Sequence, residues 1–269
     1  MNERAPSRQI ASSILVGLTC LSGFLLMFLH SPGLGWPLLL ITLILTLTWP
    51  HPIRRDLTLV ILALGFVSIA PISTGTDIRH MLIMGLLVTL AIVIPYLISS
   101  RIYHDNIFQL PLHKGRSWRR AEIGYIIFTA VIGYLVLPFY MSSTGSYHNW
   151  TVEPNVRSLL LLFIGTNALG IWDEVFFIAT LLAVFRRHLP FVWANIAQAT
   201  LWVSFLYELG FRGWGPIPVF IFALLQGEIF RRTKSIDYII AIHLTLDFML
   251  YLALVHAYFP SWLPIFIIQ

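Results

Sequence analysis

The 269-residue chain is poor in cysteine and in charge. Its one cysteine, Cys20, cannot form an intramolecular disulfide, which excludes a small cross-linked secreted domain. Only 11% of the residues are Asp, Glu, Lys or Arg, against about 25% in a typical soluble domain. The sequence also contains neither a Gly-x-Ser-x-Gly elbow nor a His-Glu-x-x-His helix, so two common hydrolase motifs are missing.

Apolar residues are abundant instead. They make up 58% of the chain, and the mean hydropathy is +0.81. Because a helix needs about 20 apolar residues to cross a bilayer, the sequence predicts an all-α, polytopic membrane protein with about nine transmembrane helices. The predicted spans are residues 10–29, 35–49, 57–72, 81–98, 123–141, 158–185, 189–209, 215–230 and 236–258.

The basic residues predict the orientation of these spans. Lys and Arg accumulate in cytoplasmic loops, and with nine spans all but three of the 17 basic residues fall on the side of the N-terminus. The exceptions are Arg79, Arg157 and Arg212. We therefore predict an integral protein of a bacterial-type plasma membrane, with the N-terminus cytoplasmic and the C-terminus outside. This distribution explains the isoelectric point of about 9.6 through contacts with the lipid bilayer, without a nucleic-acid partner.

Polar residues divide the chain into two regions. Residues 1–121 comprise N-terminal transmembrane helices and a cytoplasmic basic loop, with almost no ionisable group inside a span. Residues 122–269 form the second region, and its last four helices are expected to enclose a shared polar interior, with Asn195 and Gln198 bridging neighbouring helices. The polar residues of these spans are Asn167, Asp173, Glu174, Asn195, Gln198, Glu208, Gln226, Glu228, His243 and Asp247.

Two pairs of ionisable residues are the strongest functional signal, because a bilayer tolerates buried charges only where they have partners or a role. Asp173 and Glu174 lie near the middle of a span, and His243 and Asp247 are spaced i, i+4 on one face of the last helix. Their similar depth predicts that a carboxylate oxygen of the first pair lies roughly 4–7 Å from the His243 ring. Glu208 is near the outer end of its span and joins them only if that helix is tilted.

Three segments carry a family resemblance: WDEVFF, ANIAQATLWVSFLYEL and ALLQGEIFRRTKSIDYIIAIHLTLDF. Residues 165–255 resemble the CPBP family of CAAX prenyl proteases and bacteriocin-processing enzymes, whose signatures are E-E-x-x-x-R, F-x-x-x-H and H-x-x-x-N/D. Asp173 and Glu174 occupy the two acidic positions of the first signature, but Ile178 replaces its arginine. His243 and Asp247 match the third signature.

The second signature has no histidine in this chain. Glu208 occupies that position if YEL is aligned with the family's aromatic-His-Leu, whereas aligning Phe205 with the family phenylalanine would place Leu209 there; we favour Glu208. The resemblance implies an intramembrane endopeptidase in which the first acid and the second-signature residue activate a water, while the third signature stabilises the oxyanion. It thus implies a catalytic set without a cofactor, comprising Asp173, Glu174, Glu208, His243 and Asp247.

The resemblance implies that the substrate is a membrane-anchored or amphipathic peptide or protein that enters laterally. Because the arginine and the histidine are missing, an alternative is a non-catalytic, CPBP-like subunit or scaffold that binds another membrane protein. The acids could also form only a structural network or bind a divalent metal ion, although no close ligand spacing supports a metal. A water-accessible pocket joining Asp173, Glu174, His243 and Asp247 would favour the enzyme.

Overall fold

The computed structural model describes residues 4–49, 53–105 and 117–267, and only the backbone of residues 4–8. These described ranges contain nine long helices and no strand, which confirms the predicted all-α fold. The helices are α1 (Arg4–Gly23, continued by Phe24–Phe28), α2 (Pro32–Thr48), α3 (Ile53–Ile69), α4 (Ile78–Leu97, continued by Ile98–Ile102), α5 (Arg120–Thr144), α6 (Val156–Asp173, continued by Glu174–Leu182 and Ala183–Phe185), α7 (Phe191–Glu208), α8 (Pro216–Thr233) and α9 (Ile236–Tyr258).

Each predicted span corresponds to one of these helices. Five helices are long and apolar enough to cross a bilayer by length and composition: α1, α4, α5, α6 and α9. The helix α2 is apolar but shorter. The chain is therefore an integral, polytopic membrane protein.

Local sequence signals set several helix ends. Asn155 and Ser235 precede α6 and α9, and their side chains accept hydrogen bonds from the free backbone N–H groups of the first turn. At the other end of a helix, α5 ends at Gly145 with φ at 66°, a left-handed conformation that glycine adopts without strain. The caps at Asn155 and Ser235 fix the first residues of α6 and α9. These two helices contain the pairs Asp173–Glu174 and His243–Asp247.

The middle of α6 is wound as a π-helix from Glu174 to Leu182. The hydroxyl of Thr180 donates to the carbonyl of Val175, five residues earlier, as the wider π turn allows. A π segment changes the angular offset of every residue that follows it and is frequent at functional sites. It begins immediately after Asp173, so the two neighbouring acids lie at the junction of two helix types.

The core of the second region is held by polar bridges between helices. Asn195 and Gln198 on α7 donate to the backbone carbonyls of Leu224 and Ala223 on α8, at 2.9 and 3.0 Å. Gly227 permits this approach, because a Cβ at that position would overlap the Asn195 side-chain oxygen. The prediction that Asn195 and Gln198 bridge neighbouring helices is confirmed.

The N-terminal helices are joined to this core at two levels. Within the bundle, the indole nitrogen of Trp172 on α6 donates to the carbonyl of Val88 on α4 at 2.8 Å. At one end of the bundle, the buried Asp56 of α3 lies 3.3 Å from Arg187 and 2.8 Å from His188, just beyond α6. Hydrogen bonds from the Arg187 guanidinium to Asp105 raise the pKa of Arg187, so the guanidinium stays charged. We call the contacts of Asp56 with Arg187 and His188 the clamp.

Candidate active site

Helix α6 presents its two adjacent acids in different directions. Successive residues of a helix are about 100° apart, so Asp173 and Glu174 cannot share one environment. Asp173 faces a cavity, whereas Glu174 is fully buried against α8 and α9. The two acids therefore have different partners and different access to water.

Glu174 fixes the imidazole of His243. Its Oε1 atom lies 3.0 Å from His243 Nδ1, a direct contact where the sequence had predicted a water-bridged one. The same oxygen accepts a hydrogen bond of 2.6 Å from the amide nitrogen of Gln226, which also donates to the Ile239 carbonyl at 3.0 Å. A backbone carbonyl can only accept, so Ile239 fixes the orientation of the Gln226 amide.

This network orients the imidazole of His243. When Glu174 is a carboxylate, its Oε1 atom accepts from both Gln226 and His243 Nδ1, and Nε2 of the neutral imidazole then carries a lone pair. Gln226 was recognised in the sequence only as a polar residue within a span; its part in orienting Glu174 was missed, because it depends on the facing of three helices.

The Nε2 side of His243 is flanked by two further acids. Asp173 Oδ2 lies 3.9 Å and Asp247 Oδ1 lies 3.7 Å from Nε2, distances too long for a direct hydrogen bond. Among the described residues, Asp247 Oδ2 is a buried atom without a hydrogen-bond partner. Buried polar atoms are normally hydrogen-bonded, and a proton shared with a neighbouring acid or a polar ligand would satisfy this one.

Aromatic and glycine residues hold the cluster in place. The rings of Trp202 and Phe222 pack on His243, with centroids at 5.6 and 5.4 Å. Gly170, one turn before the acids, permits α9 to approach, since a Cβ there would overlap Asp247 Oδ2. The imidazole is thereby restricted to one orientation.

A cavity of about 240 Å³ leads to this cluster. It begins at the linker between α3 and α4, passes between α4 and α6, and reaches Asp173, His243 and Asp247. Glu174 does not line it and lies behind the imidazole. The cavity therefore joins three of the four predicted residues, and the fourth, Glu174, contacts His243.

Glu208 lies apart from this cluster. Glu208 is the last residue of α7. Its carboxylate is 2.9 Å from Nδ1 of His30, which lies in the connection between α1 and α2. Ile178, at the position of the family arginine, is fully buried among apolar residues. The described cluster thus has neither a second imidazole nor the guanidinium of the family pattern, and the catalytic role predicted for Glu208 stays a prediction.

Residues 155–249 match the model of the family described as type II CAAX prenyl endopeptidase Rce1-like, which is a CPBP family. The matched range contains Asp173, Glu174, His243 and Asp247, and it confirms the resemblance seen in the sequence for this part of the chain. No curated protein and no solved structure matches the chain significantly. Among the described residues, no group of three or more His, Cys, Asp or Glu side chains is arranged to hold a metal ion.

Proposed function

We propose that the protein is an intramembrane endopeptidase that hydrolyses a peptide bond of a membrane-associated peptide or protein. One observation carries the proposal: Asp173, His243 and Asp247 line one cavity with both acids near His243 Nε2, while Glu174 contacts the opposite nitrogen of the same ring. A base whose tautomer is fixed by a third group is the arrangement that activates a nucleophile in hydrolases.

The geometry supports definite roles. His243 Nε2 accepts a proton from a water held near Asp173 and Asp247, and the water oxygen attacks the peptide carbonyl carbon. Burial disfavours several charges around one imidazole, so a carboxyl group of this pair keeps its proton and donates a hydrogen bond to the oxyanion. The proton on Nε2 then passes to the amide nitrogen as the C–N bond breaks. Glu174 and Gln226 are positioning residues, because they act through the imidazole.

Hydrolysis is tested with purified protein in lipid nanodiscs and a library of apolar and amphipathic peptides in ¹⁸O-labelled water. The wild type is expected to yield fragments with ¹⁸O at the new C-terminus. Removal of the base in His243→Gln should lower the rate by about 10²–10⁴-fold. Glu228→Gln is the control: it neutralises an acid that pairs with Arg231 and Arg232 outside the cluster and should leave the rate unchanged.

The positioning role of Glu174 requires a separate comparison. Glu174→Gln keeps an oxygen that can accept from Nδ1, whereas Glu174→Leu removes it. We expect the glutamine variant to retain clearly more activity than the leucine variant at equal thermal stability. Wild-type hydrolysis by a protein carrying both Asp173→Asn and His243→Gln would exclude the proposed mechanism.

The second candidate is a non-catalytic subunit that binds another membrane protein in the same cavity. The observations that favour it are the pairing of Glu208 with His30 and the burial of Ile178, which leave the cluster with one imidazole and without a guanidinium. This candidate predicts that no peptide in the library is cleaved, and that His243→Gln changes co-purification of a membrane partner instead.

We also propose that the N-terminus is cytoplasmic and the C-terminus outside. Ten basic residues with described side chains lie at the end of the bundle that contains Asp56 and Arg187, and only Arg79, Arg157 and Arg212 lie at the other end. Lys114 and Arg116, which support the same orientation, lie outside the described residues.

The topology is tested by thiol labelling in a Cys20→Ala background. An impermeant reagent should label His148→Cys from outside and Ser117→Cys only from the cytoplasm; the reverse pattern would invert the topology.

A further inference from the structure

The cavity at His243 has one wall outside the region that matches the family. Helix α4 of the N-terminal region contributes Met81, Met84, Gly85 and Val88 to its lining, facing Gly165 and Leu169 of α6. Across this gap the indole nitrogen of Trp172 donates to the Val88 carbonyl, and the lining side chains of Met81, Met84 and Leu169 are apolar. The surface that a substrate meets before it reaches the acids is therefore formed in part by α4.

The cavity opens at the end of the bundle that is poor in basic residues. Its mouth includes the exposed Ser73 in the linker between α3 and α4. In the opposite direction, α6 continues with Phe176, Phe177 and Phe185, and all three side chains are fully buried. Close-packed aromatic side chains leave no route to the cluster from that end.

The size and lining of the cavity restrict what it can hold. Its volume of about 240 Å³ is below the range of about 300–1,000 Å³ for pockets that bind drug-sized ligands. A helix with its side chains is about 10–12 Å wide and would need far more room. An extended chain with a few apolar side chains fits, and its scissile carbonyl would reach the polar groups at the bottom.

We infer that α4 determines the substrate specificity of this site, and that the substrate is an extended apolar peptide segment presented from the extracytoplasmic end of the bundle. The inference rests on the proposed function. It assigns a role to a helix that the family match does not cover. It also places the entrance on the side of the membrane opposite to the basic loops.

Gly85 provides a means of closing the cavity without disturbing the fold. It lines the cavity, and a Cβ added there would have no heavy atom within 4 Å. The series Gly85→Ala, Gly85→Leu and Gly85→Phe should therefore fill the cavity stepwise. Gly124 on α5 also has open space around its Cβ position but does not line the cavity, so Gly124→Phe is the matched control.

The test uses the full-length protein in nanodiscs and a leucine-rich peptide carrying a photoreactive diazirine. We expect ultraviolet light to cross-link the peptide to α4 in the wild type and in Gly124→Phe. Cross-linking should fall progressively along the Gly85 series, by about tenfold or more in Gly85→Phe, because a filled pocket excludes side chains sterically. Unchanged cross-linking in Gly85→Phe would overturn the role of α4.

The entrance is tested by thiol labelling of Thr166→Cys, which lines the cavity, in a Cys20→Ala background. An impermeant reagent should modify it from the side that labels His148→Cys, and Gly85→Phe should block that modification. Modification only from the side that labels Ser117→Cys would overturn the extracytoplasmic entrance. Cross-linking to α4 without any cleavage would support this inference and refute the peptidase. Equal cleavage by wild type and Gly85→Phe would support the peptidase and overturn the role of α4.

Discussion

The N-terminal helices and the helices α6–α9 satisfy their polar groups in different ways. In α1 and α2, the hydroxyls of Thr19, Ser22 and Thr42 donate to carbonyls four residues earlier in the same helix. In the second region, Asn195, Gln198 and Gln226 reach the backbone or a side chain of a neighbouring helix. A bond within one helix does not define where the next helix lies, whereas a bond between helices fixes rotation and depth.

This difference explains why the site lies in the second region. A catalytic group must be held to within a fraction of an ångström, and the chain from Ile239 through Gln226 and Glu174 to His243 provides that restraint. The described N-terminal helices contribute apolar packing, the wall of α4 and the polar contacts of Val88 and Asp56 with the second region. Side chains are held most exactly where hydrogen bonds connect different helices.

The largest contrast is expected for glycine substitutions in the two regions. Gly170→Ala places a Cβ against Asp247 Oδ2, so we expect a loss of about 1–3 kcal/mol in stability by overpacking, together with loss of activity. Gly65→Ala on α3 has open space and should be neutral or stabilising by up to about 1 kcal/mol. Denaturant unfolding in detergent micelles measures both, and equal effects of the two variants would remove the distinction.

Gln226→Leu should have the next largest effect. It removes the donor to Glu174 and to the Ile239 carbonyl and leaves buried oxygens unsatisfied, which costs about 1–3 kcal/mol. The tautomer of His243 should also become mixed, and ¹⁵N chemical shifts of its imidazole would report this change. A single Nδ1–H tautomer in Gln226→Leu would show that Glu174 orients the His243 imidazole without the hydrogen bond from Gln226.

The clamp between the two regions should matter less for the site. Asp56→Asn weakens its contacts with Arg187 and His188, while the charged pair of Arg187 and Asp105 remains. Removing one partner of a buried pair is costly, but the remaining pair limits the loss to about 1–2 kcal/mol. Hydrogen exchange should increase at the ends of α3 and α6 near the clamp, with the His243 imidazole shifts unchanged. Altered imidazole shifts would mean that the clamp also orients the site.

The smallest effect is expected within the N-terminal helices. Thr42→Val removes a hydroxyl that bonds only to its own helix, and we expect a change in unfolding free energy within about 0.5 kcal/mol. A loss as large as that of Gln226→Leu would show that the N-terminal region also depends on specific polar contacts. Thermal unfolding of the two variants under identical conditions makes this comparison.

Much of the architecture follows from the sequence because each signal is summed over many residues. The nine apolar stretches predicted the nine described helices, and the i, i+4 spacing of His243 and Asp247 predicted that both face one side of α9. The family signatures placed the resemblance at residues 165–255, and the family model matches residues 155–249. The pairing of Asp173 and Glu174 with His243 also followed, because buried charges at one depth need one another.

The sequence by itself determined that the chain lies in a membrane, where its spans are and which ionisable groups they contain. Hydropathy and polarity can be read from the composition along the chain. Only the tertiary structure decided which acid faces the cavity, which orients the imidazole, and that Glu208 pairs with His30. Those outcomes depend on the rotation of each helix about its axis, and the π segment from Glu174 to Leu182 changes that rotation. Rotation is set by contacts between helices distant in sequence, which no local pattern of residues encodes.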